Sequence, residues 1–254
     1  MSLPLPFRRL PIAHRAYHDR DAGRPENSLS AIRAAVAAGY GIEIDLQPSA
    51  EGVPMVFHDY SLERLTGATG PIRGRSSAEL QALPLIGGDE GIPTLAQVLA
   101  EVAGRVPLLL EIKDQDGALG PDVGALEAAA APQLAAYQGP LAVMSFNPHS
   151  MAAMARLAPG LPRGLTTCAF RPDDWQLIAP ARLQELSDIP DYDRVGACFI
   201  SHEWQDLDHA RVTALKGQGA EILCWTIRSA ADEAQARKIA QNITFEKYPA
   251  EIPA

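Results

Sequence analysis

The feature that most constrains the fold of this chain is a rhythm. A short apolar run followed by an amphipathic stretch recurs eight times between residues 10 and 245. The runs lie at 10–14, 41–46, 107–112, 141–145, 163–167, 197–201, 221–225 and 242–245. Parallel neighbouring strands need a crossover of a dozen or more residues, usually a helix, and the helices bury both faces of the sheet. The intervening stretches supply those helices. Leu29, Ile32 and Val36 recur at helical spacing between an N-cap at Asn27 or Ser28 and a stop at Gly39. Thr94 and Gln97 form a capping box ahead of Leu95, Val98, Leu99 and Val102. An Ala-rich helix is expected within 122–137, interrupted near Pro132. Asn147 and Pro148 open the next helix as N-cap and first helical residue. Further helices are expected at 174–186, at 207–216 and from Ser229 to about residue 240. Eight such units predict an α/β protein, a (β/α)8 TIM barrel. A doubly wound open sheet is the competing arrangement, and it is disfavoured because no G-x-G-x-x-G follows the first run.

The rhythm breaks once, across residues 47–92. That segment holds one extra strand at 54–58 and a capping box from Ser76 to Glu79 ahead of Leu80 and Leu83. It is otherwise rich in Gly and turn residues, so it reads as a small insertion after the second strand of one barrel domain spanning 1–254.

Hydrophobic residues make up 47% of the chain and charged residues 21%, so a large core can form without disulfides or metal. A net charge of −9 argues against nucleic-acid partners and against stable association with an anionic membrane. It leaves room for an anionic small substrate, because a metal and a few cations can invert the field in one cleft. Cys168, Cys198 and Cys224 are odd in number and sit in apolar runs, as expected of reduced core residues in a cytoplasmic protein. The first fifteen residues carry no apolar core of a signal peptide, and no stretch approaches a transmembrane span.

Within the second run, Glu43 and Asp45 stand two residues apart and point to the same side, with Ile42, Ile44 and Leu46 on the other. Two carboxylates on a largely buried strand repel each other and lose hydration. Either a divalent metal or buried Arg and Lys could compensate them. In a barrel of this kind the chemistry sits at the C-terminal ends of the strands. Those ends carry His14 and Arg15, then Glu43 and Asp45, then Glu111 and Lys113, and later Ser145, Ser201, His202 and Trp225. Three carboxylates converging with His, Arg and Lys on one rim favour the metal. Hard oxygen ligands without sulfur suit Mg²⁺, Ca²⁺ or Mn²⁺ better than Zn²⁺.

The ordered motifs resemble those of the glycerophosphodiester phosphodiesterase family. They read His14-Arg15-Ala16, Pro25-Glu26-Asn27-Ser28, Glu43-Ile44-Asp45, His58-Asp59, Pro93-Thr94-Leu95 and Glu111-Ile112-Lys113. Later echoes are Ser145-Phe146-Asn147, Trp225-Thr226 and Tyr248-Pro249. Ala16 stands where the family pattern has Gly, Ser28 where it has Thr, Glu51 where Asp is common, and Phe245-Glu246 where Thr-Asp is common. The last departure gives no ligand on strand eight.

The resemblance implies hydrolysis of glycerophosphodiesters, such as glycerophosphocholine or glycerophosphoethanolamine, to sn-glycerol 3-phosphate and an alcohol, with one divalent metal ion as cofactor. It implies Glu43, Asp45 and Glu111 as metal ligands, and His14 and His58 as the two proton-transfer groups, read as base and acid respectively. Arg15 and Lys113 are then the phosphate-binding cations, which bring the charge of triad, metal and phosphodiester to zero. Glu26, Asn27 and Trp225 are expected to contact substrate. His18, His149 and His209 read as structural or surface residues, as does His202 despite its place on the rim. Two other readings compete. One is a barrel phospholipase, which needs an apolar or basic docking face. The other is a silent phosphoester binder, which would ordinarily have lost His or carboxylate positions.

Overall fold

Each strand–helix unit folds back beside the last, and the eighth strand pairs with the first. In the computed structural model, which describes residues 2–253, the strands are β1 (Ile12–Ala13), β2 (Gly41–Pro48), β3 (Pro54–Val56), β4 (Leu108–Ile112), β5 (Leu141–Ser145), β6 (Arg163–Thr167), β7 (Phe199–Glu203), β8 (Glu221–Ile227) and β9 (Asn242–Phe245). All but β3 are parallel to their neighbours, and β1 pairs with both β2 and β9, which closes the ring. β3 lies outside the ring, antiparallel to the far end of β2. The fold is the (β/α)8 barrel that the sequence rhythm predicts.

Alternation along each strand divides the apolar residues between two layers. Ile42, Ile44, Leu46, Leu110 and Val143 face outward and pack with Ile32, Val98 and Met151 of the surrounding helices. Leu109, Ala142, Met144, Phe199 and Leu223 fill the barrel interior. Gly164 on β6 is required there, because a Cβ would lie 2.5 Å from the Phe199 ring.

A short helix, Pro6–Arg9, not anticipated from the sequence, inserts Phe7 and its neighbour Leu3 into the same interior cluster. Asn242 Nδ2 holds it by donating to the Phe7 and Leu10 carbonyls at 2.7 and 2.6 Å. Phe7→Ala is therefore expected to cost about 3–5 kcal/mol, the usual cost of emptying a fully buried aromatic site. Urea denaturation measures this, and a change below about 1 kcal/mol would show that the plug carries no load.

Three elements differ from the sequence expectation. β1 is only two residues long, because Arg15 and Ala16 adopt positive φ of 50° and 66° and turn the chain off the ladder. The left-handed backbone at Ala16 explains why the family pattern has Gly at that position. The Ala-rich helix runs unbroken from Ala125 to Ala136 with Pro132 inside it. Burial of Leu126, Ala130, Ala131 and Leu134 offsets the lost hydrogen bond. The helix expected at 174–186 begins only at Pro180 and runs to Ser187. The residues before it form turns that lay Trp175 and Ile178 onto Phe146 and Phe170.

Between β2 and the helix Leu95–Val102 the chain builds a separate small cluster from Met55, Phe57, Leu62, Leu65, Ile72, Leu80, Leu85 and Ile92. The capping box at Ser76 and Glu79 is formed in full. Among the described residues, no helix is long and apolar enough to cross a membrane.

Candidate active site

Two adjacent strands bring the three carboxylates together. β2 and β4 run in a register that pairs Asp45 with Glu111, and Glu43 lies one inward position earlier on β2. Their nearest carboxylate oxygens lie within 4.8 Å of one another, and all three residues are buried. Glu43 Oε2 accepts the Arg15 backbone N–H at 2.9 Å. Asp45 Oδ2 accepts from Asn27 Nδ2 at 3.0 Å, and Lys113 Nζ donates to Glu111 Oε1 at 2.7 Å. Lys113 Nζ and Arg15 Nε lie 3.6 and 3.7 Å from Asp45. Arg15 Nε is itself buried without a hydrogen-bond partner.

The electrostatics of the trio fit a cation. Burial, then the charges of Asp45 and Glu111, push Glu43 well above the usual carboxylate range. Burial pushes Asp45 up too, but His58, Lys113, Arg15 and the Asn27 hydrogen bond together hold it below that range. The protein's own cations thus keep Asp45 ionised and leave Glu43 under-compensated. A divalent ion among hard oxygen donors would relieve that deficit, so the residues present fit a site for such a metal.

Two histidines line the same cavity as the trio. His14 Nδ1 lies 2.7 Å from Glu246 Oε2, just past β9. Glu246 also accepts from Arg228 Nε at 2.7 Å and lies 3.6 Å from His18 Nε2. Because a carboxylate only accepts, Nδ1 of His14 carries the hydrogen, and Nε2 is left as the basic nitrogen. Burial lowers the His14 pKa to about 4, against the opposing pull of the Glu246 hydrogen bond. His58 Nδ1 lies 2.6 Å from Asp59 Oδ1. Asp59 accepts from Arg64 Nε at 2.6 Å, and Arg64 also donates to Glu26 at 2.8 and 2.9 Å. Glu26 in turn accepts from Arg15 Nη1 at 2.7 Å. This chain of ion pairs ties the loop carrying His58 to the loop carrying Arg15, so His58 is held over the barrel mouth from outside the barrel.

His14, Arg15, Glu43, Asp45, His58, Glu111, Lys113 and Trp225 all line one cavity of about 170 Å³. Trp225 Nε1 is fixed by donating to the Ser201 carbonyl at 3.0 Å. Two expected substrate contacts do not reach the cavity wall. Asn27 is fully buried behind Asp45, and Glu26 is spent between Arg15 and Arg64. Of the other rim residues, Ser145 donates to the Ile112 carbonyl, while His202 is buried between Thr167 and Asp206. Glu246 and Arg64 join the site without having been expected there from the sequence. For Glu246 the signal was present: it is an acidic residue just past strand eight, standing where the family pattern has its Asp. Arg64 left no such signal, because its partners lie 5 and 38 residues away.

A closed parallel barrel whose carboxylates, cations and histidines meet at the C-terminal ends of its strands defines a barrel enzyme acting at that rim. The chain belongs to the glycerophosphoryl diester phosphodiesterase family, whose model matches residues 14–243. It is 28% identical over 226 residues to a glycerophosphodiester phosphodiesterase of Caldanaerobacter subterraneus, covering 86% of this chain and 85% of that relative. It is 36% identical over 100 residues to glycerophosphodiester phosphodiesterase 1 of Bos taurus, but that match covers 35% of this chain and only 29% of the relative. Among solved structures, a phosphodiesterase of Oleispira antarctica in complex with the product sn-glycerol-3-phosphate superposes with a TM-score of 0.76 at 26% identity, covering 94% of each chain.

Proposed function

We propose that this protein hydrolyses glycerophosphodiesters to sn-glycerol 3-phosphate and an alcohol, with Glu43, Asp45 and Glu111 holding a divalent ion. The observation that carries this reading is the convergence of that carboxylate trio with His14, His58, Arg15 and Lys113 on one cavity. The product bound to the Oleispira relative supports the same substrate class. Bound there, Mg²⁺, Ca²⁺ or Mn²⁺ would supply Lewis-acid polarisation of a phosphoryl oxygen. Arg15 presents a fork of donors to the phosphate, and Lys113 acts as a point charge.

His14 is the base. Its lowered pKa keeps the imidazole neutral at pH 7, and Nε2 accepts the proton of the attacking hydroxyl. His58 is the acid, delivering a proton to the departing alkoxide, with the imidazolium steadied by Asp59 at 2.6 Å. Trp225 packs against the substrate in the cavity, while Glu26 and Asn27 act through Arg15 and Asp45. The three free, buried cysteines fit a reducing compartment such as the cytoplasm.

Release of glycerol 3-phosphate from glycerophosphocholine, with and without chelator, tests this reading. No release in the presence of added Mg²⁺, Mn²⁺ or Ca²⁺ would exclude it for that ester, and no release from any glycerophosphodiester, polar or alkyl, would exclude it as a whole.

Glu246 orients His14 and raises its basicity, so Glu246→Gln should lower kcat by about 10–100-fold, the usual weight of such a partner. With the carboxylate gone, the His14 pKa falls further, and the acid limb of the kcat/KM profile moves to lower pH. Glu246→Asp should restore part of the rate. An unmoved acid limb would show that Glu246 does not act on the base.

A further inference from the structure

A second cavity of about 700 Å³ opens directly off the first. The two share His58, Glu111, Lys113 and Phe146, whereas His14, Glu43 and Arg228 belong to the smaller one alone. The larger cleft therefore extends from the His58 side of the carboxylate trio and away from His14. Its wall is predominantly apolar, formed by Tyr60, Leu119, Phe146, Trp175, Leu177 and Ile178. Phe146 and Trp175 meet edge to face with ring centroids 5.1 Å apart, and Phe146 meets Trp225 of the small cavity at 5.6 Å, so one aromatic wall runs through both. At the mouth, Leu177 is 91% exposed and Tyr60 53% exposed. Large apolar side chains held this far into water beside a cleft mark a surface that something covers.

We infer that this cleft binds the leaving alcohol, and that the preferred substrate is a glycerophosphodiester whose alcohol carries an extended alkyl or acyl chain. The inference rests on the phosphodiesterase reading, because it uses His58 as the group that protonates the leaving oxygen. With that oxygen at His58, the rest of the alcohol can extend along the apolar wall of the larger cleft, which His58 also lines.

Size points the same way. A cavity of about 150 Å³ suffices for benzene, so 700 Å³ exceeds what a small polar head group fills. A quaternary ammonium could stack on the aromatic faces, but three of the wall's four carboxylates are already spent, Glu111 among them through Lys113 at 2.7 Å. Asp59 is held by His58 and Arg64, and Asp114 accepts from Asn147 and from the backbone N–H groups of Gly117 and Leu119. The docking face that a lipid-like substrate needs, not visible in the sequence, is assembled here from Tyr60 before the short helix of the insertion and from Leu177 in the turns before Pro180.

A homologous series of glycerophosphate esters, from methyl through butyl and hexyl to octyl, tests this, with glycerophosphocholine as the polar comparison. The expected result is a kcat/KM that rises roughly two- to fourfold per added methylene, the gain of burying one CH₂. Leu177→Glu, a change at an exposed position, should flatten that slope and cost about tenfold or more on the octyl ester. A flat series in the unmodified protein, the same slope in the variant, or glycerophosphocholine outperforming the octyl ester would overturn the inference.

Calorimetric titration with 1-octanol separates this inference from the reading on which it rests. If no ester releases glycerol 3-phosphate, the phosphodiesterase reading fails. Octanol binding that Leu177→Glu weakens would still establish an apolar alcohol site, and absence of octanol binding would overturn that as well.

Discussion

Stripping divalent metal from the protein is expected to lower its phosphodiesterase turnover by roughly 10³-fold or more, since the ion is worth several kcal/mol of transition-state charge stabilisation. Added Mg²⁺, Mn²⁺ or Ca²⁺ should restore it. The expectation rests on three buried carboxylates whose oxygens lie within 4.8 Å, one of them, Glu43, pushed well above the usual range by burial and by its two neighbours. Because burial and its neighbours raise the Glu43 pKa, protons compete with the cation there, and metal affinity should fall as the pH is lowered. Glu43→Gln removes one ligand charge and should cost a similar factor in turnover. It should leave folding largely intact, because the barrel core is built from Leu109, Met144, Phe199 and their neighbours and not from that charge. Full turnover of protein shown metal-free by elemental analysis would end the metal reading. Unchanged metal affinity in Glu43→Gln would remove Glu43 from the ligand set.

His14→Ala and His58→Ala should each lower turnover on an alkyl ester by roughly 10²–10⁴-fold, the weight of one acid–base group. Their dependence on the leaving group should differ. An alkoxide is a poor leaving group and needs a proton, whereas a nitrophenolate needs little help. The nitrophenyl ester should therefore rescue His58→Ala and not His14→Ala. The structure gives this asymmetry a basis. His14 is half-buried, and its partial loss of hydration lowers its pKa to about 4, which suits a neutral base. His58 stands where the small cavity opens into the large one, beside Asp59, with space for the departing group on its far side. Equal losses on both esters for His58→Ala, or selective rescue of His14→Ala, would show the roles to be absent or reversed.

Local patterns in the chain are enough to specify the parts of this protein that repeat. Period-two strands, capped amphipathic helices and the break after the second strand specify the closed barrel, because each element must bury its apolar face against the next and parallel strands require the crossovers between them. Local patterning also determines that Glu43 and Asp45 share a face, since alternation along a strand allows nothing else. The set of residues on the rim was legible for the same reason: a barrel puts strand ends together whatever the intervening sequence. Pairings between distant segments carry no such local signal. The register of β2 against β4 sets Asp45 opposite Glu111. Arg64 bridges Asp59 and Glu26 across 38 residues of chain and so places His58. Glu246 meets His14 across 232 residues, and the same packing draws Asn27 and Glu26 behind the cavity wall. Leu177 and Trp175 read as part of a helix until the turns before Pro180 fold them over the mouth. Hydrogen bonds and ion pairs of this kind have no sequence period. They depend on where side chains arrive once the apolar layers have packed, and only the folded chain fixes that.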